Sequence, residues 1–363
     1  MTRVLTVLLA VMLVNALGPA AAQTGSTPSI EPVLERMVSE YVRPGYAAVH
    51  QAATKLEADL DGLCANPSEE ALTGAREGFR EVADAWARIE WLRLGAVMSD
   101  NRLERILFFP DRKGTGRKQV QAAIASKDES VTDAATLSGK SVAMQGLGAL
   151  EYILFGSGSE TLAEGDAGHR CRFGRAAAAN VTHVSAELIA GWEEGSDYLA
   201  AFLKPGPGNS LFRTDQEALN VLLGQMIHGL EAIRDTRIGA FLDPETADHD
   251  RPRSALYWRS DMTLPSISAG ISGLETLFTQ SGIEVVAQDQ APRLADTIRF
   301  EFTQAIRTAE SLDAPVEDLL ADPQTRDRLA YLAYAIRIII GRLDQEFAQA
   351  GGLAVGFSFG DGD

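Results

Sequence analysis

Glu151 is the residue whose surroundings most invite a chemical role, because it is a lone carboxylate in the apolar helical stretch Leu147 to Phe155. A carboxylate so placed can receive a metal ion, a ligand cation or a partner's basic side chain, or it can serve the fold as a hydrogen-bond acceptor. Two glycines, Gly146 and Gly148, stand just before it. Each costs about 1 kcal/mol relative to Ala inside a helix, so the pair suggests that something approaches the backbone closely there. Arg102, Asp111 and Arg259 are further candidates to line a site, since polar residues beside apolar helices must be paired if they are buried. His228 and Glu231 are three apart and would share a helix face, and His249 lies between Asp248 and Asp250. Neither group makes up the set of about three ligands that a catalytic metal needs. No Gly-x-Ser-x-Gly elbow, Cys-His context or complete phosphate-binding glycine fingerprint occurs, so nucleophilic catalysis and nucleotide binding have no support.

The elements that must position these residues are helical. Apolar residues recur at helical spacing almost everywhere, and alternating β-branched strands are nearly absent, so the fold class is all-α. Helices are expected over about 30–63, kinked or split at Pro44-Gly45, and over 68–94, with Ser68 as the N-terminal cap. Further ones are expected at 119–126, 140–155, 171–201, 214–237, 266–280, 288–311 and 323–350, with turn chemistry at 109–117 and coil at 241–257. Pro205-Gly206-Pro207-Gly208 interrupts any helix and marks a boundary between an N-terminal bundle, residues 23–205, and a C-terminal bundle, residues 206–363. Each would be an antiparallel bundle of the four-helix type. Ala149-Leu150-Glu151-Tyr152-Ile153-Leu154 and Gly273-Leu274-Glu275-Thr276-Leu277-Phe278 are each followed two residues later by Ser-Gly, which suggests a duplication with a groove between the halves.

Composition narrows the functional classes. The 363 residues carry a formal charge of −17, which disfavours nucleic acid and anionic membrane surfaces as partners. Arg3, the apolar run from Val4 to Leu17 and Ala20-Ala21-Ala22 read as an export signal cleaved after Ala22. No later stretch is long and apolar enough for a membrane anchor, so the expected location is the periplasm. In an oxidising compartment the two cysteines, Cys64 and Cys171, are candidates for one disulfide.

The segment Gly146-Leu147-Gly148-Ala149-Leu150-Glu151-Tyr152-Ile153-Leu154 resembles the hallmark of the imelysin-like family, Gly-x-His-x-x-Glu followed by Tyr and an apolar pair. Ala85-Trp86, Arg102 with Phe108-Phe109-Pro110-Asp111-Arg112, Tyr257-Trp258-Arg259-Ser260, and the tail Gly356-Phe357-Ser358 with Asp361-Gly362-Asp363 resemble the family's other patterns, in the same order. The resemblance implies two helical bundles, export and an association with iron uptake. The family is grouped with metallopeptidases, although its hallmark lacks the His-Glu-x-x-His geometry of zinc proteases. Where the family carries its histidine, this chain has Gly148.

A histidine and a glutamate three apart could ligate a metal together or work as an acid/base pair, and glycine supplies neither function. The expectation is therefore a non-catalytic periplasmic binding or accessory protein of iron uptake. Its inter-bundle groove, with Gly146, Gly148, Glu151, Arg102, Asp111 and Arg259 as candidate lining, would take iron, another divalent cation or a metal chelate. Glu151 is the one candidate metal ligand. The competing readings are a metal-dependent peptidase, or a module that docks on a periplasmic or outer-membrane protein.

Overall fold

The structure is a computed structural model that describes residues 30–165 and 168–354. The export signal, its Ala22 cleavage point and the acidic tail with Asp361 and Asp363 lie outside the described residues. All regular elements among the described residues are helical, as the periodicity requires. The principal helices are α1 (Arg43–Ala65), α2 (Glu69–Ile89), α3 (Thr115–Ser126), α4 (Leu147–Phe155), α5 (Gly168–Ala190), α6 (Asp215–Glu231), α7 (Thr263–Ser281), α8 (Leu294–Glu310) and α9 (Pro323–Gly341). No helix among the described residues is long and apolar enough to cross a membrane.

Local chemistry explains most boundaries, including those that differ from expectation. Ser68 caps α2 by accepting from the Ala71 N–H at 3.1 Å. Thr214 and Asp322 do the same for α6 and α9. The expected break at Pro44 does not occur. Glu31–Arg36 runs through a π-helical turn, Met37–Val42, straight into α1, whose first turn holds Pro44. A proline is tolerated there because its missing N–H is one that a helix start leaves unpaired anyway. α3 begins four residues earlier than expected because the Asp111 carboxylate accepts from the N–H groups of Thr115 and Gly116, at 2.6 and 2.9 Å. α4 begins at Leu147 rather than near Lys140. Its N-terminal glycine, Gly146, lies so close under the 105–106 backbone that a Cβ would meet the Ile106 carbonyl oxygen at 2.1 Å.

The helices form two rings of four. α1, α2, α4 and α5 pack around one axis, and α6, α7, α8 and α9 around another, contributed by residues on either side of the 205–208 segment. The two hexapeptides fall on α4 and α7, the third helix of one ring and the second of the other, so they are not equivalent by helix order. One continuous apolar core runs through both rings. Its seam is the crossing of α2 with α7, where a Cβ on Gly273 would stand 1.9 Å from the Arg88 carbonyl oxygen. Trp91 fills the space over Gly229 and Gly270 beside it. Along this seam the halves are packed, not separated by a groove.

Cys64, at the end of α1, and Cys171, in the first turn of α5, form a disulfide with a Cα–Cα distance of 5.6 Å. It closes 107 residues of chain, and cross-links of that span stabilise small folds by about 2–5 kcal/mol. Replacing both cysteines by serine is expected to lower the free energy of chemical unfolding by that amount. Identical denaturation midpoints with and without reductant would contradict it.

Candidate binding site at the junction of the two halves

α4 is apolar along nearly its whole length, and Glu151, 6% exposed, is its one charged residue. Its carboxylate reaches out of the first ring to the turn that precedes α7. Oε1 accepts from the backbone N–H groups of Arg259 and Ser260 at 3.0 and 3.3 Å, and the Ser260 hydroxyl lies 3.3 Å from the same oxygen. Oε2 faces the Arg259 guanidinium at 3.9 Å. Burial raises the Glu151 pKa above the ordinary glutamate range, although Arg259 and the amides favour the ionised form.

The turn is held in an uncommon shape. Tyr257 and Asp261, at its two ends, have φ of +61° and +58°. Side chains adopt such angles only where the surroundings dictate them. Tyr257 is buried against Phe79, ring centroids 5.6 Å apart and edge to face. Burial pushes its hydroxyl pKa up, and the nearby carboxylates of Glu90 and Glu151 push the same way.

Glu90 belongs to a second tie between the halves. Its Oε2 accepts from Nη2 of Arg237 at 2.5 Å, both residues being buried. The Arg237 guanidinium lies 5.5 Å from the Trp91 ring and 4.6 Å from the Phe109 ring. Arg93, close to Glu90, donates its backbone N–H to Gln225 at 2.6 Å, a further contact between the halves. Burial raises the pKa of Glu90, with Arg237 and Arg93 opposing it.

A cleft of about 330 Å³ opens at this junction beside the turn. Its walls come from Phe155, Gly156 and Ser157 after α4, from Pro252, Arg253, Trp258 and Arg259, and from the 315–317 segment of the second half. Arg259 is stacked 4.2 Å from the Trp258 ring centroid and 5.5 Å from that of Tyr152, and Arg253 lies 5.6 Å from Trp258. Burial lowers the Arg259 pKa, Glu151 opposes that, and the like charges of Arg117 and Arg253 add to the lowering.

Of the residues singled out in the sequence, Glu151 and Arg259 meet here. Gly146 sets the start of α4. Gly148 is exposed, with nothing within 4 Å of where a Cβ would be. Arg102 is committed elsewhere, to Glu187 at 2.8 Å and Asp100 at 3.0 Å, and Asp111 is spent capping α3. Trp258 lines the cleft. Sequence reasoning missed Arg253, Glu90 and Arg237. The available signal for Arg253 was a tryptophan with arginines five residues before and one after it.

These residues do not fit a resident metal ion. A metal needs converging lone pairs, whereas the atoms around the Glu151 carboxylate are N–H, O–H and guanidinium donors. No group of three or more His, Cys, Asp or Glu among the described residues could hold a metal ion.

The imelysin family model matches residues 42–342. Among solved structures, an imelysin-like protein of Psychrobacter arcticum is 19% identical, with a TM-score of 0.74 over 91% of this chain and 98% of its own. An iron-regulated protein A precursor of Parabacteroides distasonis is 16% identical, with a TM-score of 0.72 over 88% of this chain and 96% of its own. No curated protein matches the chain.

Removing the carboxylate leaves two buried amides without an acceptor, so Glu151→Ala is expected to cost about 1–3 kcal/mol of stability, and Glu151→Gln, which keeps a carbonyl acceptor, clearly less. A raised carboxyl pKa stabilises the fold most when the group is protonated, so its contribution is lost as pH rises from the ordinary glutamate range towards the raised value. Denaturant midpoints measured across that range should fall more with rising pH for wild type than for Glu151→Gln; parallel curves would refute the raised pKa. Gly148→His should fold as stably as wild type, since its Cβ enters open space. It should bind zinc no better in calorimetry, because Glu151 is already engaged, and a tenfold gain in zinc affinity would show that Glu151 is free to ligate.

Proposed function

This chain belongs to the imelysin family, and from that premise we propose that it is an exported, non-catalytic binding protein of iron uptake. It works in the periplasm after cleavage behind Ala22, and takes its cargo in the cleft at the junction of the two halves. The observation that carries the reading is the cleft itself, lined by Arg253 and by Trp258 and Arg259 of the turn whose amides Glu151 accepts from. Export is supported by the charged start, the apolar run and the Ala20-Ala21-Ala22 site, and by the precursor status of the iron-regulated neighbour from Parabacteroides distasonis. The link to iron is supported by that neighbour's name and by what the family resemblance implies.

Binding is favoured over peptide hydrolysis by the residues. A metallopeptidase must hold its ion with about three side chains, leave one position open and supply a general base. Here the hallmark histidine is Gly148, and the remaining glutamate is already accepting hydrogen bonds.

The test is calorimetric titration of the chain from Gln23 onward, free of metal, with ferrous ion, ferric citrate and zinc, alongside an assay of peptide cleavage. Saturable binding of an iron species without cleavage is the expected result. Cleavage of peptides, or failure of every iron species to bind, would overturn the proposal, and the second outcome would turn attention to a protein partner.

A further inference from the structure

We propose that the junction cleft is an anion site, and that the cargo enters as a small polycarboxylate, free or as its ferric chelate, with its carboxylates on Arg253 and Arg259 and its body against Trp258. This deepens the reading above and rests on it in one respect, that the cleft is where cargo binds.

The charge at the cleft runs against the rest of the chain. The whole protein carries −17, yet the cleft presents Arg253 and Arg259, with Arg117 close to Arg259. Of the carboxylates nearby, Glu151 lies beneath the turn, where one oxygen is engaged by the 259 and 260 amides and the other stands 3.9 Å from the Arg259 guanidinium, a distance that leaves the remaining guanidinium N–H groups for a ligand. Glu317 stands at the rim, 3.9 Å from Arg253, with both side chains mostly exposed, so that pair is weak. The negative end of α4, which points towards the cleft wall at Phe155 to Ser157, is itself covered by cations. Arg76 donates to the Leu154 carbonyl at 2.9 Å. Arg170 donates to the carbonyls of Ile153 and Tyr152 at 2.9 and 2.8 Å and of Ser157 at 2.8 Å. A helix end that would repel an anion is thereby neutralised.

Guanidinium geometry then selects the ligand. Arginine meets a carboxylate with two parallel N–H donors, and a planar group stacked on an aromatic face is preorganised for that contact. Arg259 is held in this way by Trp258 and Tyr152, while Arg253 is exposed 5.6 Å from the Trp258 ring centroid and can close on a second carboxylate. The volume, about 330 Å³, suits one small molecule and not a peptide or a polymer. A bare cation is disfavoured, because two guanidiniums outweigh the one rim carboxylate, Glu317.

The experiment is calorimetric titration of the signal-less chain with sodium citrate, ferric citrate, acetate and ferrous chloride, for wild type and for Arg253→Glu and Arg259→Gln. Arg253 is largely exposed and its replacement does not threaten the fold. The expected result is that citrate and ferric citrate bind, acetate at least tenfold more weakly, and ferrous ion not at all. Arg253→Glu should weaken citrate at least tenfold, with unchanged thermal unfolding. Tighter binding of ferric citrate than of citrate would identify the chelate as the cargo, and equal binding the free acid; both support the site. Ferrous binding without citrate binding would overturn the anion inference and leave the iron-binding reading standing. Citrate binding that survives in both variants would overturn the site, and no binding of citrate or of any iron species would overturn both.

Discussion

Everything at the junction hangs on one oxygen. Oε1 of Glu151 collects two backbone N–H groups and lies beside a hydroxyl, all from the opposite half of the molecule, and it does so from inside an apolar helix. The turn that offers those groups has left-handed angles at Tyr257 and Asp261, a conformation that must be paid for by its surroundings. The carboxylate supplies the acceptor that makes that backbone shape favourable, and the shape in turn sets Trp258 and Arg259 at the mouth of the cleft. Glu90 with Arg237 ties the halves a second time, and Tyr257 feels both carboxylates.

The same interaction explains why a glutamate can persist where its histidine neighbour does not. A histidine at the position of Gly148 would lie on an exposed surface with open space around its Cβ, so its loss costs the fold nothing. Loss of Glu151 would strand buried donors of the other half. The fold therefore holds on to the carboxylate for a reason independent of metal binding.

Much of the architecture was legible in the sequence. Helical periodicity gave the class, Ser68 and Thr214 gave helix starts, and two cysteines with an expected oxidising compartment gave the disulfide. One boundary failed where a contact from elsewhere in the chain decided it, the 105–106 backbone above Gly146 shortening α4, and the split at Pro44 failed because that proline falls in the first turn of α1. At the site, Glu151 was conspicuous as a charge in an apolar run, but its partners are backbone amides, which carry no residue signature. Arg102 and Asp111 had the right chemistry and the wrong neighbours, because an ion pair with Glu187 and a helix cap consume them. Arg253 was invisible because its significance depends on Trp258 lying beside it.

The most direct test of this account is hydrogen exchange at the amides of Arg259 and Ser260 in wild type, Glu151→Gln and Glu151→Ala. If the carboxylate holds the turn, both amides are protected in wild type, largely protected in the Gln variant, and exchange about tenfold or more faster in the Ala variant while the cores of α2 and α7 are unchanged. Equal exchange at these two amides in all three proteins would contradict the claim that Glu151 shapes the site.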